Sequence, residues 1–279
     1  MSADRGTAPS PGLRSAVIPP EREIRLLQDI AKRSLVLVIL IATILAWEGW
    51  VRFRDIPNYL FPKPSTVVDR LVAKPAVMAE AFFFTFFESI IGFALASVVG
   101  IALAILIARS ALLERLLYPY LNIIRVTPVI AIAPLLTIWF GHGILPQALI
   151  AALIAFFPIV VTTVLGLKSV DPELVSLMRL LNATEAKELW KIRLPNALPY
   201  IFSAFRISAP LAVVGALVGE FVGGAQGLGW ILITARGRLD TSTVFLMVVL
   251  AVLLGIASFT LVVAFEKRFV KWHPAVVLE

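Results

Sequence analysis

Residues 81–108 read AFFFTFFESIIGFALASVVGIALAILIA, 28 residues with one charge, Glu88. A run of 18 or more apolar residues is long enough to cross about 30 Å of hydrocarbon as a helix. Gly92, Ala96, Gly100, Ala104 and Ala108 recur at every fourth position. Small residues at that spacing form one stripe where helix backbones approach closely, as membrane helices do when packing replaces the hydrophobic drive. This stretch therefore predicts a packed membrane helix, within the chain or across a dimer.

Similar runs lie on both sides of it. Six apolar segments stand out, at 34–51, 81–108, 117–139, 144–166, 199–222 and 242–266. Composition agrees: 59% of the 279 residues are hydrophobic and 15% charged, against about 25% charged in a soluble domain. The mean hydropathy is +0.93. The net charge of +7 then reads as cytoplasmic loops and contact with anionic lipid head groups, and not as nucleic-acid binding. With the N-terminus inside, the inner segments hold sixteen Lys and Arg and the outer segments seven. The expected fold is an all-α membrane protein of six transmembrane helices, with both termini and the 167–198 loop cytoplasmic.

Residues 1–33 form the expected cytoplasmic tail. The first 20 read as lacking order, and 21–33 as a short interfacial helix. The first span follows and is expected to be retained, since the polar stretch before it is too long for a secretory signal. Residues 34–80 hold that span and an extracytoplasmic loop with room for one short helix. The transmembrane domain is expected over 81–272 and a short tail over 273–279. Trp47, Trp50, Trp139 and Trp230 suit interfacial belts. Pro128, Pro134, Pro158 and Pro210 fall inside spans, where each removes a backbone hydrogen bond and favours a kink.

No cysteine is present, and His142 and His273 are the only imidazoles. Thiolate chemistry is excluded, and a zinc enzyme is not expected. No Gly-Lys-Ser or Gly-Lys-Thr occurs, so ATP hydrolysis by a P-loop is excluded. Five ionisable groups within the spans are singled out: Glu48, Glu88, Arg125, Arg206 and Glu220. Such groups are costly in lipid and default to functional candidates. At 100° per residue, Arg206, Pro210, Val213, Leu217 and Glu220 fall within about 40° of one line, with Gly215 opposite.

The 167–198 loop is the longest polar stretch after the N-terminus. Asp171 and Pro172 suit the N-cap and first position of a helix. Asn182 suits a left-handed break. Thr184 suits a second cap, with Glu185 and Glu188 near the positive helix end. Pro195 is expected to stop that second helix and Pro199 to open the next span.

The stretch 176–199, SLMRLLNATEAKELWKIRLPNALP, resembles the coupling loop of ABC importer permeases: short helix, glycine, short helix, then an apolar residue, any residue and Leu-Pro. Ile192, Leu194 and Pro195 stand at the motif positions. Asn182 occupies the glycine seat, and Ser176-Leu177-Met178 replaces the usual Glu-Ala-Ala. APLLTIWFGHG (133–143), FFPIVVTTVLGL (156–167) and RISAPLAVVGALVGEFVGGAQGLGWILITA (206–235) resemble the branch serving nitrate, sulfonate, taurine and bicarbonate, with thiamine-precursor pyrimidines and riboflavin. The resemblance covers about 60–272. Glu220-Phe221-Val222-Gly223 and Leu239-Asp240-Thr241 are closer to the pyrimidine and riboflavin members.

The resemblance implies two ABC ATPase subunits that bind ATP and Mg, a second copy of this chain and an extracytoplasmic solute-binding protein. It implies no cofactor, metal or catalytic residue in this chain itself. Asn182, Ala183, Thr184, Glu185, Glu188, Ile192, Leu194 and Pro195 would carry ATPase coupling. Arg125, Arg206, Pro210, Leu217 and Glu220 would line the translocation path, because the fifth helix commonly does so in that family. Two other classes stay open. A secondary transporter would usually show internal repeats, and a membrane-embedded enzyme would need a polar cluster in facing spans.

Overall fold

A computed structural model of the chain describes residues 20–270; the expected disordered tail, save Pro20, and the whole C-terminal tail 273–279 lie outside them. Every described element is helical: α1 (Pro20–Phe53), α2 (Pro64–Ala73), α3 (Pro75–Arg109), α4 (Ala111–Val126), α5 (Val129–Phe140), α6 (Ile144–Lys168), α7 (Pro172–Leu180), α8 (Glu185–Glu188), α9 (Leu194–Gly223), α10 (Leu228–Gly237) and α11 (Thr241–Phe269). A π-helical turn, Leu189–Arg193, joins α8 to α9. The chain divides into two compact units, Met1–Asp55 and Ile56–Glu279.

In the first unit, α1 runs without a break from Pro20. The expected interfacial helix and first span are thus one helix, whose apolar part is Ser34–Phe53. No Pro or Gly falls between 21 and 48 to stop it.

In the second unit, α6 is central, packed between α3 and α9. A Cβ added at Gly92 on α3 would stand 2.5 Å from the Ala151 Cβ and 2.6 Å from the Ala148 carbonyl oxygen. One added at Gly215 on α9 would stand 2.5 Å from the Ala151 Cα. Ala151 is therefore gripped between two glycines of different helices, and its own exposure is 0%. The stripe on α3 continues with buried Ala96, Gly100 and Ala104, Gly100 lying on Ile159. These small residues pack within the chain. Contacts this close supply the dispersion that holds helices together in lipid. The outer side of α9 meets α11, where Phe202, Ala209 and Val262 join one apolar cluster.

Among the described residues, five helices are long and apolar enough to cross a membrane, or six if the bent pair α4 and α5 counts as one span. The expected third span, 117–139, is broken by a 94° bend. Thr127 and Pro128 are both extended, as the residue before a proline prefers. Pro134, Pro158 and Pro210 sit inside continuous helices.

Candidate functional sites at the two ends of the bundle

One end carries α7 and α8. The Asp171 Oδ1 accepts from the Glu173 N–H at 2.9 Å, and Pro172 opens α7. Asn182 has φ +52°, and the Ala183 N–H closes the turn on the Met178 carbonyl at 3.0 Å. The Thr184 hydroxyl accepts from the Lys187 N–H at 3.4 Å and caps α8. Each local expectation for the loop rests on a capping or turn preference that needs no distant partner.

Pro195 does not stop α8. The helical path runs on from Glu185 to Gly223. The π-turn absorbs the change: the Leu194 N–H reaches five residues back to the Leu189 carbonyl. Pro195, next in line, sits in the first turn of α9, where its missing N–H costs least.

The loop is tied firmly at its root. Glu188, 8% exposed, pairs with Arg193 at 2.5 Å. The Arg193 Nη1 donates to the Leu167 carbonyl at 3.3 Å, on the last turn of α6. Asn196 donates to the Gly166 carbonyl at 3.1 Å and to the Ser169 hydroxyl at 2.9 Å. Lys168 pairs with Glu114 of α4 at 2.6 Å. Leu189 and half-buried Leu194 pack into a cluster with Val164, Leu167 and Ile201. The tip is different. Leu174, Leu177, Leu180 and Leu181 are exposed, the last two at 79% and 69%. Asn182, Thr184 and Glu185 are exposed beside them, while Ile192 and Pro195 are half-buried. An apolar ridge on a rooted projection is what a docking element presents.

The other end carries α2 and α10. There Glu220, 2% exposed, meets two other elements, α3 and α10. The Thr85 Oγ1 of α3 donates to its Oε1 at 2.6 Å. The Gly229 N–H of α10 donates to its Oε2, and the Trp230 N–H also reaches it. The Leu228 N–H donates to the Thr85 hydroxyl at 2.9 Å. The Glu88 carboxyl lies against Glu220, and neither Glu88 oxygen has a donor among the described residues. Beside this cluster lies a cavity of about 220 Å³ whose lining includes Arg70, Lys74, Thr234 and Asp240.

The remaining charges are engaged as follows. Arg206 pairs with Glu266 of α11 at 2.5 Å. Arg125 lies over the Phe157 ring at 5.1 Å from its centre. Glu48 pairs with Arg52 one turn on, at 2.7 Å. Pro210 and Leu217 are half-buried, and Leu217 packs on a cluster with Leu246, Met247 and Leu254. The face carrying Arg206, Leu217 and Glu220 therefore meets α11, α3 and α10, while Gly215 faces α6. Sequence reasoning named Glu188 but missed its partner Arg193, and it missed Glu266 and Thr85. Glu266 stands at the very end of the sixth apolar segment, which was its only signal.

Residues 96–271 match the family described as binding-protein-dependent transport system inner membrane component. The formylaminopyrimidine transport permease ThiX of Halalkalibacterium halodurans is 34% identical over 81% of this chain and 91% of its own length. The riboflavin transport permease RibX of Chloroflexus aurantiacus is 32% identical over 85% and 90%. Among solved structures, an inward-facing form of the MetNI methionine ABC transporter aligns with a TM-score of 0.58 at 21% identity, covering 69% of this chain and 97% of that one.

Proposed function

From the premise that this chain belongs to the binding-protein-dependent transport system inner membrane components, we propose that it is the permease half of an ATP-driven importer, working as a pair of identical copies. The observation that carries this reading is the α7–α8 projection, with an apolar tip and a root locked to α6 and α9. One ATPase subunit docks on the projection of each copy, two in all, and both ATP and Mg bind to them. Asn182 sets the turn, Ala183 and Thr184 close it, and Glu185 stands at the docking face. Glu188, Ile192, Leu194 and Pro195 pass the movement to α9 as one rigid body. The excess of Lys and Arg on this side supports a cytoplasmic loop and cytoplasmic termini in the bacterial inner membrane.

The solute arrives at the α10 end from an extracytoplasmic binding protein. The similarity to ThiX and RibX favours a small organic nutrient, such as a pyrimidine or a flavin-like ring system, with a sulfonate-type solute the next choice. The translocation path follows α9. Arg206, Leu217 and Glu220 fix its wall through their contacts with α11, α3 and α10, while Arg125 and Pro210 stand along its open side.

Co-purification tests this reading. The full chain should hold its ATPase subunit through affinity purification, and deletion of 171–195 should release it. Retention of the ATPase by the deleted chain, or failure of any ATPase to bind the full chain, would overturn the proposal in favour of a transporter that works without one. Thermal-shift screening of the cognate binding protein against pyrimidines, flavins and sulfonates would identify the solute.

A further inference from the structure

We infer that Glu220 is a positioning residue that pins α10 to the bundle, with Thr85, Gly227 and Gly229 as its working partners. Four observations converge. The first is the bonding: one carboxylate takes donors from α3 and α10 while standing on α9. The second is that the Thr85 hydroxyl works twice, donating to Glu220 and accepting from the Leu228 N–H at 2.9 Å. A hydroxyl can do both, and no apolar side chain of its size can.

The third is the space around the carboxylate. Gly227 has φ +95°, and a Cβ there would run into the Glu220 carboxyl group. A Cβ on Gly229 would stand 2.8 Å from both the Glu220 Oε2 and the Leu217 carbonyl oxygen. Glycine at both places keeps the first turn of α10 against the acid. The fourth is the nature of the donors. Gly229 and Trp230 belong to the first turn of α10, whose amides have no partner inside the helix. In lipid such groups are expensive to leave unpaired. Asp and Glu at a helix start normally come from the same chain segment; here the acid reaches in from another helix.

The consequence is local. α10 and the turn after it, Arg238 to Asp240, form one wall of the cavity beside Arg70 and Lys74. That wall is held by side chains of α3 and α9, so the shape of the cavity follows the placement of those two helices. The inference is read from this chain alone and stands whatever solute or ATPase it serves.

The absence of native cysteines makes the test clean. Ala235 is buried on α10, and Val164 is buried on α6 in a cluster that includes no residue of α10. Ala235→Cys and Val164→Cys would each be introduced singly into the full chain in lipid nanodiscs, where a maleimide reaches both faces. Thr85→Val keeps the shape and removes the hydroxyl. Glu220→Gln keeps one acceptor oxygen and turns the other into a donor that cannot receive the α10 amides. Each variant is expected to speed labelling at position 235 about tenfold, the range of one charge-assisted hydrogen bond, and to leave position 164 at the parent rate. Thr85→Ser, which keeps the hydroxyl, is expected to label at the parent rate at both. Unchanged labelling at 235 in both variants would refute the inference. So would equal acceleration at 164, which would mean general loosening. Loss of both variants from the membrane would refute it too, because the inference assigns the pair to α10 and not to assembly of the bundle.

Discussion

Adding one methyl group to different glycines should give sharply graded losses of stability. At Gly92 and Gly215 the new Cβ would meet backbone atoms of α6 at 2.6 and 2.5 Å. Backbone in the middle of a packed helix cannot turn aside, so the helices must separate. Overpacking of this kind costs about 1–3 kcal/mol, and the upper end applies where the obstacle is main chain. At Gly100 the nearest atom is the Ile159 Cγ2 at 3.0 Å, which a small side-chain shift relieves. The cost there should stay below about 1 kcal/mol. At Gly255 nothing lies within 4 Å, and the alanine should stabilise the helix by about 0.5–1 kcal/mol. In a chain of this size about 1 kcal/mol moves the midpoint by about 2–4 °C. Thermal unfolding of the purified protein in one detergent should then place Gly92→Ala and Gly215→Ala about 6–12 °C below the parent. Gly100→Ala should fall within about 4 °C of it and Gly255→Ala at or above it. The reasoning fails if Gly100→Ala is the most damaging of the four, or if Gly92→Ala and Gly215→Ala melt with the parent.

Other outcomes follow from single contacts. Arg193→Ala leaves Glu188 unpaired and the Leu167 carbonyl without its donor; it should cost about 1–3 kcal/mol and weaken ATPase binding in a pull-down more than it lowers the amount of chain in the membrane. Asn182→Gly should leave transport unchanged, whereas Asn182→Leu must hold φ near +52° at about 1–2 kcal/mol; uptake assays at matched expression would separate the two. Glu266→Ala should strand Arg206 and cost more than the double change Glu266→Ala with Arg206→Met, a reversal readable by thermal unfolding. Arg52→Ala removes an i,i+4 pair whose arginine is 63% exposed, and should change stability by less than about 0.5 kcal/mol.

Much of this was legible in the sequence because it depends on near neighbours. Apolar runs gave the spans, since hydropathy needs no knowledge of what packs where. The α3 stripe announced close packing, and Asp171, Asn182 and Thr184 announced the turns of the loop. Other features depend on partners far away in the chain. Arg206 and Glu220 do share one face of α9, as 100° per residue requires, yet only the placement of α11, α3 and α10 determines what covers it. Thr85 and Leu228 are 143 residues apart, and nothing local to either points to the other. The 117–139 run is apolar throughout, so hydropathy joined two helices that Thr127 and Pro128 separate. Pro195 misled for a local reason: a proline ends a helix or begins one, and the π-turn that lets α8 run into α9 has no signature in composition.

That continuity bears on how movement could cross the bilayer. Thirty-nine residues from Glu185 to Gly223 make a rod about 58 Å long at 1.5 Å per residue, with the apolar tip beside its lower end and the Glu220 cluster near its upper one. Tilting such a beam by about 10° about its middle carries each extremity about 5 Å, roughly one helical turn. A seesaw pivoting at that middle, where buried Ala204 packs with Ala155 and Ile159 of α6, needs no relay of side-chain rearrangements: a push at one surface is a displacement at the other.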